Sequence, residues 1–223
     1  MIPIRDVIPS RTTPLVTIAL LVANVVVFLS SPPADSQAFE SFVRTWGVTP
    51  ASFEWSAVFT SMFMHGGWMH LLSNLLFLWI FGDNVEDRMG HGRYLSFYLL
   101  CGTVAALAQV LADPTSPIPM VGASGAIAGV LGAYIVMFPH SRVLTLVPLF
   151  IVVTFIEIPA GILLGLWFAM QVLSGVGSMM IVQPEDMGGV AFWAHAGGFV
   201  SGVILVFLFR RPEREHAAWY QTS

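Results

Sequence analysis

The stretch Val121-Gly-Ala-Ser-Gly-Ala-Ile-Ala-Gly129 places a hydroxyl, that of Ser124, at the start of a hydrophobic segment. Serine is common in membrane helices, where it helps neighbouring helices to pack, so Ser124 alone does not identify a function. A catalytic interpretation requires that the chain bring a base, and donors for an oxyanion, to the same depth. The rest of the sequence decides between these interpretations.

The composition is typical of a membrane protein. Of 223 residues, 56% are hydrophobic and 10% are charged, and the mean hydropathy is +0.79. A soluble domain has about a quarter charged residues. At about 20 residues a span, the length allows roughly six or seven spans and no sizeable soluble domain. The single cysteine, Cys101, excludes an internal disulfide framework, and no cysteine pair suggests a metal site.

The apolar segments predict an all-α polytopic membrane protein with six transmembrane helices in one membrane domain, residues 1–223. The predicted spans cover about residues 14–30, 68–83, 93–112, 122–138, 159–174 and 191–209. The first apolar run is longer than the core of a signal peptide, which indicates a retained span.

The connections between the spans differ in character. Residues 31–67 are rich in aromatic side chains, and tryptophan favours the membrane boundary, so this first loop is predicted to be partly embedded. The segment from Gly82 to Gly90 is expected to lead the chain out of the membrane. Residues 143–156 are apolar but too short for a span, which leaves a re-entrant or an interfacial segment as alternatives. Residues 175–190 are read as a loop.

The arginines indicate the orientation. With six spans and the N-terminus inside, eight of the nine arginines lie on the inner side, and only Arg44 lies outside. This distribution agrees with the positive-inside rule and places both termini in the cytoplasm. A seventh span at residues 143–156 would move the C-terminal arginines outside. The chain has no lysine and no basic face, so we expect no nucleic-acid partner.

Three spans that enter from the outer side carry polar residues near their starts. Ser124 and His195 are each expected about one turn into their helices, at similar depth. His70 and Asn74 lie four residues apart and so share one face of the second span. Together these residues supply a nucleophile, a base and donors at one level of the membrane.

Small residues predict how the fourth and sixth spans meet. Gly125 and Gly129 form a small-xxx-small ridge on one span, and Gly198 and Gly202 form another on the other span. Such ridges let membrane helices touch backbone to backbone. We therefore expect the hydroxyl of Ser124 to come within hydrogen-bond reach of the His195 imidazole.

The predicted chemistry is nucleophilic catalysis. A serine hydroxyl becomes a good nucleophile when a neighbouring base takes its proton, and His195 is the candidate base in the last span. The backbone N–H groups of Ala123 and Ser124 have no partner within the helix, and the side chains of His70 and Asn74 add donors for the oxyanion. No acid lies in either span to orient His195, so we predict a Ser/His dyad.

Three sequence elements resemble the rhomboid family of intramembrane serine proteases over roughly residues 14–209. They are His70-Leu-Leu-Ser-Asn74, Gly122-Ala-Ser124-Gly125 and Ala194-His195-Ala-Gly-Gly198-Phe-Val-Ser-Gly202. They match the family's H-x-x-x-N, G-x-S-G and A-H-x-x-G-x-x-x-G elements in order. The resemblance implies a six-helix rhomboid-like bundle with an embedded first loop.

The resemblance also implies an activity. Ser124 would be the nucleophile, His195 the general base, and His70 and Asn74 the oxyanion donors. The substrates would be transmembrane proteins cut near their outer end, in contact with membrane lipids and without a cofactor or metal. A prokaryotic plasma membrane follows by analogy only. In some members an aromatic residue four positions after the nucleophile stacks on the histidine, but that position here is Ala128, so other packing must hold His195.

Two other classes of function remain as alternatives. A catalytically silent rhomboid-like protein binds membrane clients without cutting them, but such proteins typically lack the serine or the histidine. A small transporter would line a path with Asn74, His70 and Glu157, yet the two halves of the sequence show no repeat.

Overall fold

The structure, a computed structural model, describes residues 1–149, 152–179 and 191–211. These residues are mostly helical. In chain order they form β1 (Ile2–Asp6), α1 (Leu15–Ser30), α2 (Gln37–Trp46), α3 (Trp55–Thr60), α4 (Trp68–Met89), α5 (His91–Ala112), α6 (Ser124–Met137), β2 (Arg142–Leu149), β3 (Val152–Pro159), α7 (Ala160–Met179) and α8 (Phe192–Phe209).

Each of the six predicted spans coincides with a helix, α1 or one of α4 to α8, but two helices are longer than predicted. Helix α4 continues through the predicted exit turn to Met89 and ends at Gly90, whose φ of 80° favours glycine. Helix α7 continues to Met179, so the first part of the predicted 175–190 loop is helical. The rest of that loop, from residue 180 on, lies outside the described residues.

Length and composition support fewer spans than six. Within the described ranges, three helices are long and apolar enough to cross a membrane, namely α5, α7 over Ala160–Ser178, and α8. Helices α1 and α6 are apolar but shorter, with 16 and 14 residues. The count of six spans and the membrane orientation therefore stay predictions.

The prediction of an all-α fold is wrong in one respect, because Arg142–Leu149 and Val152–Pro159 form β-strands. Strands β2 and β3 pair antiparallel from Arg142 opposite Pro159 to Leu149 opposite Val152. Strand β1 pairs with β2 to complete a three-stranded sheet in the order β1-β2-β3. The segment is rich in valine, isoleucine and threonine, which favour extended backbone. Pairing with β1 on one side and β3 on the other satisfies the backbone N–H and C=O groups of β2.

Acidic residues near the end of α4 hold the N-terminal segment in place. The buried carboxylate of Glu86 accepts hydrogen bonds from Val16 N at 2.9 Å and from Thr17 N and Oγ1 at 2.8 and 2.7 Å. It thus caps the start of α1 from a neighbouring helix, where an anion is favoured by the helix dipole. Asp87 accepts from Arg11 N at 2.6 Å.

The same end of the bundle contains a partly buried carboxyl group. Asp6 Oδ2 accepts from Tyr134 Oη at 2.6 Å and from Asn84 Nδ2 at 2.9 Å. Burial raises the pKa of Asp6 from 3.8 to about 6, although the hydrogen bond from Tyr134 acts in the opposite direction. Ionisation of Asp6 therefore opposes folding in mildly acidic to neutral solution.

The first loop carries exposed aromatic side chains, as its composition suggested. Trp46, Trp55 and Phe59 are exposed on and around the short helices α2 and α3. The inner side of the loop is anchored by Val48, whose backbone pairs with Met120 just before α6. Embedding of this loop in lipid stays a prediction, but its backbone is tied to the segment that leads to Ser124.

Candidate active site

Ser124 and His195 meet across two helices that are 71 residues apart in sequence. The distance from His195 Nε2 to Ser124 Oγ is 2.8 Å, which is within hydrogen-bond range. Ser124 is the first residue of α6, and His195 lies in the first turn of α8, so both occupy helix starts at one level. Both side chains are only partly buried and remain accessible.

Helices α6 and α8 approach as closely as their backbones allow. A Cβ atom added to Gly198 would lie 2.1 Å from Gly125 O, and one added to Gly202 would lie 2.0 Å from Gly129 O. Because no side chain larger than hydrogen fits at either position, these two glycines of α8 permit the approach. The backbone contact lies along the same two helices that carry Ser124 and His195.

The two glycines predicted on α6 face a different neighbour, helix α5, on the side where a Cβ atom would project. A Cβ at Gly125 would lie 2.6 Å from Ala105 Cβ, and one at Gly129 would lie 2.4 Å from Cys101 Cβ, both on α5. The lack of a side chain at the α6 glycines thus lets α5 pack closely, while their carbonyl oxygens lie against the glycines of α8. Helix α6 is packed closely on two sides, which fixes the position of Ser124.

His70 and Asn74 stand next to this pair at the start of α4. His70 Nδ1 lies 3.4 Å from Gly66 N and accepts its hydrogen, so the proton of the neutral ring belongs on Nε2. A Cβ at Gly122, which has a φ of 131°, would lie 2.7 Å from His70 Nε2. Gly122 therefore lets the backbone before Ser124 turn closely past the imidazole.

The Asn74 side chain is buried and lies one helical turn after His70 on α4. Asn74 Nδ2 donates one hydrogen to His70 O at 2.7 Å, which leaves its second hydrogen for another acceptor. Ala123 and Ser124 begin α6, where backbone N–H groups have no partner within the helix. His70, Asn74 and Ser124 line the same cavity, and their role as oxyanion donors stays a prediction.

A second histidine packs behind His70. The His65 ring is almost wholly buried and lies edge-on to His70, with ring centroids 5.1 Å apart. Burial and the neighbouring His70 lower the pKa of His65 to about 4. His65 is therefore neutral near pH 7 and supports the His70 ring by packing.

A cavity of about 740 Å³ opens onto these groups. Its walls combine the polar side chains named above with apolar ones such as Met120 and Phe192. Ser61, Ser73 and Ser124 line it, and Ser124 Oγ is the serine oxygen within hydrogen-bond distance of His195. In the described parts of the chain, no group of three or more His, Cys, Asp or Glu side chains is arranged to hold a metal ion.

Sequence reasoning missed two residues of α7 that contact His195. Gln171 Oε1 lies 2.8 Å from His195 Nδ1, and the Trp167 ring lies 5.9 Å from the His195 ring. These residues are four apart and share one face of α7. The spacing Trp-x-x-x-Gln in an apolar helix was a visible signal, because a glutamine at membrane depth needs a polar partner.

The comparisons with known proteins agree with this architecture. The rhomboid domain model matches residues 52–212, which is more than half of the chain and includes all the residues of the site. The chain is 40% identical over 92 residues to rhomboid protease GluP of Bacillus subtilis, which covers 41% of this chain and 18% of that protein. It is 30% identical over 152 residues to mitochondrial rhomboid protein 1 of Saccharomyces cerevisiae, which covers 66% and 40%.

A third relative covers more of the chain. Rhomboid-like protease 5 of Toxoplasma gondii is 36% identical over 188 residues, which is 80% of this chain and 18% of that protein. The chain spans less than two thirds of the length of the curated relatives it matches. The domain match and the apolar helices make it an integral membrane protein, and the chain belongs to the rhomboid family.

Proposed function

We propose that the chain is an intramembrane serine endopeptidase that cleaves transmembrane segments of membrane proteins near the outer face of the membrane. The observation that carries this proposal is the 2.8 Å distance between His195 Nε2 and Ser124 Oγ at the edge of an open cavity. Several relatives are named as proteases, which supports the same reaction class. His70 and Asn74 line the same cavity as Ser124, which supports peptide-bond cleavage over simple helix packing.

In the proposed mechanism, Ser124 Oγ attacks the carbonyl carbon of the substrate while its proton passes to His195 Nε2. The carbonyl oxygen becomes an oxyanion. His70 Nε2–H, the free hydrogen of Asn74 Nδ2 and the backbone N–H groups of Ala123 and Ser124 are the proposed donors to it. Each such donor typically contributes a few kcal/mol to lowering the barrier.

The intermediate then collapses. The C–N bond breaks, the leaving amine takes the proton from His195 Nε2, and the acyl group stays on Ser124 Oγ. Water that enters through the cavity gives a proton to His195 and attacks the ester, and the histidine returns that proton to Ser124 Oγ as the carboxylate product leaves. One water is consumed, and no cofactor is needed in this sequence of steps.

The proposed setting is a multi-pass membrane protein with six spans and both termini in the cytoplasm, which places the cavity at the outer face. The arginine distribution supports this orientation. A prokaryotic plasma membrane remains an analogy, because the relatives include mitochondrial and chloroplastic proteins. The proposed partners are transmembrane protein substrates and the surrounding lipids.

The proposal is tested with the purified chain in liposomes and a generic single-span substrate. Ser124→Ala and His195→Ala should each abolish cleavage. Ser96→Ala, which removes a hydroxyl that bonds only its own helix at Gly92 O, and His140→Ala, an exposed histidine, serve as controls and should cleave normally. Mass spectrometry of the products should locate the cut inside the membrane segment. Cleavage that persists in Ser124→Ala would refute the proposal, whereas stable binding without cleavage would favour the silent rhomboid-like binding protein.

A further inference from the structure

The imidazole of His195 has a partner on each nitrogen. Nε2 lies 2.8 Å from Ser124 Oγ on α6, and Nδ1 lies 2.8 Å from Gln171 Oε1 on α7. A neutral imidazole carries one hydrogen, so the partner of one nitrogen decides the state of the other. The contact with Gln171 therefore bears directly on whether Nε2 is free to take a proton.

Only one tautomer of His195 suits a base at Nε2. If Nδ1 carries the hydrogen, it donates to Gln171 Oε1, and the lone pair of Nε2 faces the hydroxyl. If Nε2 carries the hydrogen, the ring has no lone pair to offer Ser124. An acceptor oxygen opposite Nδ1 favours the first tautomer and disfavours the second, for which that oxygen would face a bare nitrogen.

The acceptor at this position is an uncharged amide. Among the described residues, no carboxylate forms a hydrogen bond with His195, and its partners are Gln171 and Ser124. A carboxylate at membrane depth is costly, whereas a glutamine side chain supplies an acceptor oxygen without a charge. An amide is thus a low-cost means of fixing a histidine tautomer inside a membrane.

Trp167 adds a steric constraint from the same helix. Its ring lies 5.9 Å from the His195 ring, inclined by 38°, and it also packs on Phe199 of α8 at 6.3 Å. Position 128 on α6 is alanine and offers no ring to His195. Helix α7 therefore provides both the hydrogen-bond acceptor and the aromatic contact that limit the motion of the imidazole.

We propose that Gln171 is a positioning residue that holds His195 in the tautomer with hydrogen on Nδ1, so that Nε2 is ready to take the proton of Ser124. This inference rests on the proposed function, because it explains how the base is prepared. It turns the predicted two-residue arrangement into a chain of three side chains from α7, α8 and α6. Gln171 acts through His195 and does not touch the substrate carbonyl.

The test compares variants that differ in the acceptor. Gln171→Met keeps the length of the side chain but loses the amide, and Gln171→Glu keeps an acceptor oxygen at the same distance. Gln109→Met is the matched control, because Gln109 is a second glutamine that bonds the backbone N–H of Ala194 at 3.3 Å without contacting the imidazole. The readout is the ¹⁵N spectrum of the full chain with labelled histidine, with the His195 signals assigned by their loss in His195→Ala.

We expect the wild-type spectrum to show hydrogen on Nδ1 of His195 in at least about fivefold excess, since one net hydrogen bond contributes about 1 kcal/mol. Gln171→Met should show both tautomers, and Gln171→Glu and Gln109→Met should resemble the wild type. In cleavage assays, kcat of Gln171→Met should fall about threefold to tenfold with KM within twofold.

Hydrogen on Nε2 in the wild type, or an unchanged spectrum in Gln171→Met, would overturn this inference. The spectrum needs no substrate, so it tests the tautomer of His195 even if the chain cleaves nothing. Conversely, a chain that cleaves by Ser124 with an unchanged Gln171→Met spectrum would refute the positioning role and leave the proposed function intact.

Discussion

Substitution of Gly202 by alanine tests how the packing of α6 and α8 sets the distance between Ser124 and His195. The added Cβ would lie 2.0 Å from Gly129 O and 2.7 Å from both Gly129 Cα and C. Normal contact distances between such atoms are about 3.5 Å, so the overlap is about 1.5 Å. Because the opposing atoms are backbone, no side-chain rotation relieves the overlap, and the helices must separate.

The separation is expected to break the hydrogen bond to Ser124. Gly202 lies seven residues from His195, about 10 Å along the helix axis. A local displacement of about 1 Å would lengthen the distance of 2.8 Å between Nε2 and Oγ beyond hydrogen-bond range. Misplacement by about 1 Å typically costs about 100-fold in rate, and overpacking costs about 1 to 3 kcal/mol of stability.

The assay is cleavage of a single-span substrate by protein in liposomes, together with the thermal unfolding midpoint in detergent. Gly202→Ala should lose about 100-fold in kcat and should unfold at a lower temperature. The control is Gly165→Ala on α7, where an added Cβ would meet nothing within 4 Å, and it should behave like the wild type. If Gly202→Ala cleaves within twofold of the wild type and unfolds at the same temperature, the packing argument is refuted.

Three further changes test other parts of the molecule. Because the pKa of Asp6 is raised from 3.8 to about 6, the folded state binds a proton that the unfolded state releases, so stability should fall as pH rises through about 4 to 6. Asp6→Asn should reduce this dependence of the unfolding midpoint, and an equal dependence in both proteins would contradict the reasoning. Asn74→Ala should lower kcat about 100-fold with KM nearly unchanged if the amide stabilises the oxyanion; a change in KM alone would argue against that role. Glu86→Gln should lower the free energy of unfolding by about 2 to 3 kcal/mol, because an N–H group would then face the donors of Thr17. Chemical denaturation in detergent measures that loss, and an unchanged free energy would show that the cap on α1 contributes nothing.

The sequence was sufficient to place the helices that carry the candidate site. Apolar runs located the start of each of these helices to within two residues, although α4 and α7 end later than predicted. The motifs around Ser124 and His195 identified the family. Motif spacing is informative here because membrane helices enter at a shared boundary, so a residue's distance from the helix start indicates its depth. The roles assigned to Ser124, His195, His70 and Asn74 stay predictions.

The parts that the sequence analysis missed depend on contacts between distant segments. The paired strands β2 and β3 looked like a short membrane segment, because hydrophobicity alone does not distinguish a strand from a helix of that length. The pairing of β2 with β1, more than 130 residues away, was not readable from local pattern. Helix α4 extends past its predicted end, and Glu86 in that extension accepts a hydrogen bond from Thr17 of α1.

The partners of His195 show the same limit. The fourth and sixth spans hold no acid to orient His195, and the group opposite Nδ1 is an amide on α7, the fifth predicted span. Gln171 became recognisable only once the helices were packed together.

The central claim is that the imidazole of His195 activates the hydroxyl of Ser124. The most direct measurement is the site of covalent labelling by a fluorophosphonate, which reacts with activated serines, as read by peptide mass spectrometry of the whole chain in detergent. We predict one adduct, on Ser124, that disappears in His195→Ala while that variant remains folded. Labelling of Ser124 that is unaffected by His195→Ala, or a wild-type protein that is not labelled at Ser124, would contradict the claim.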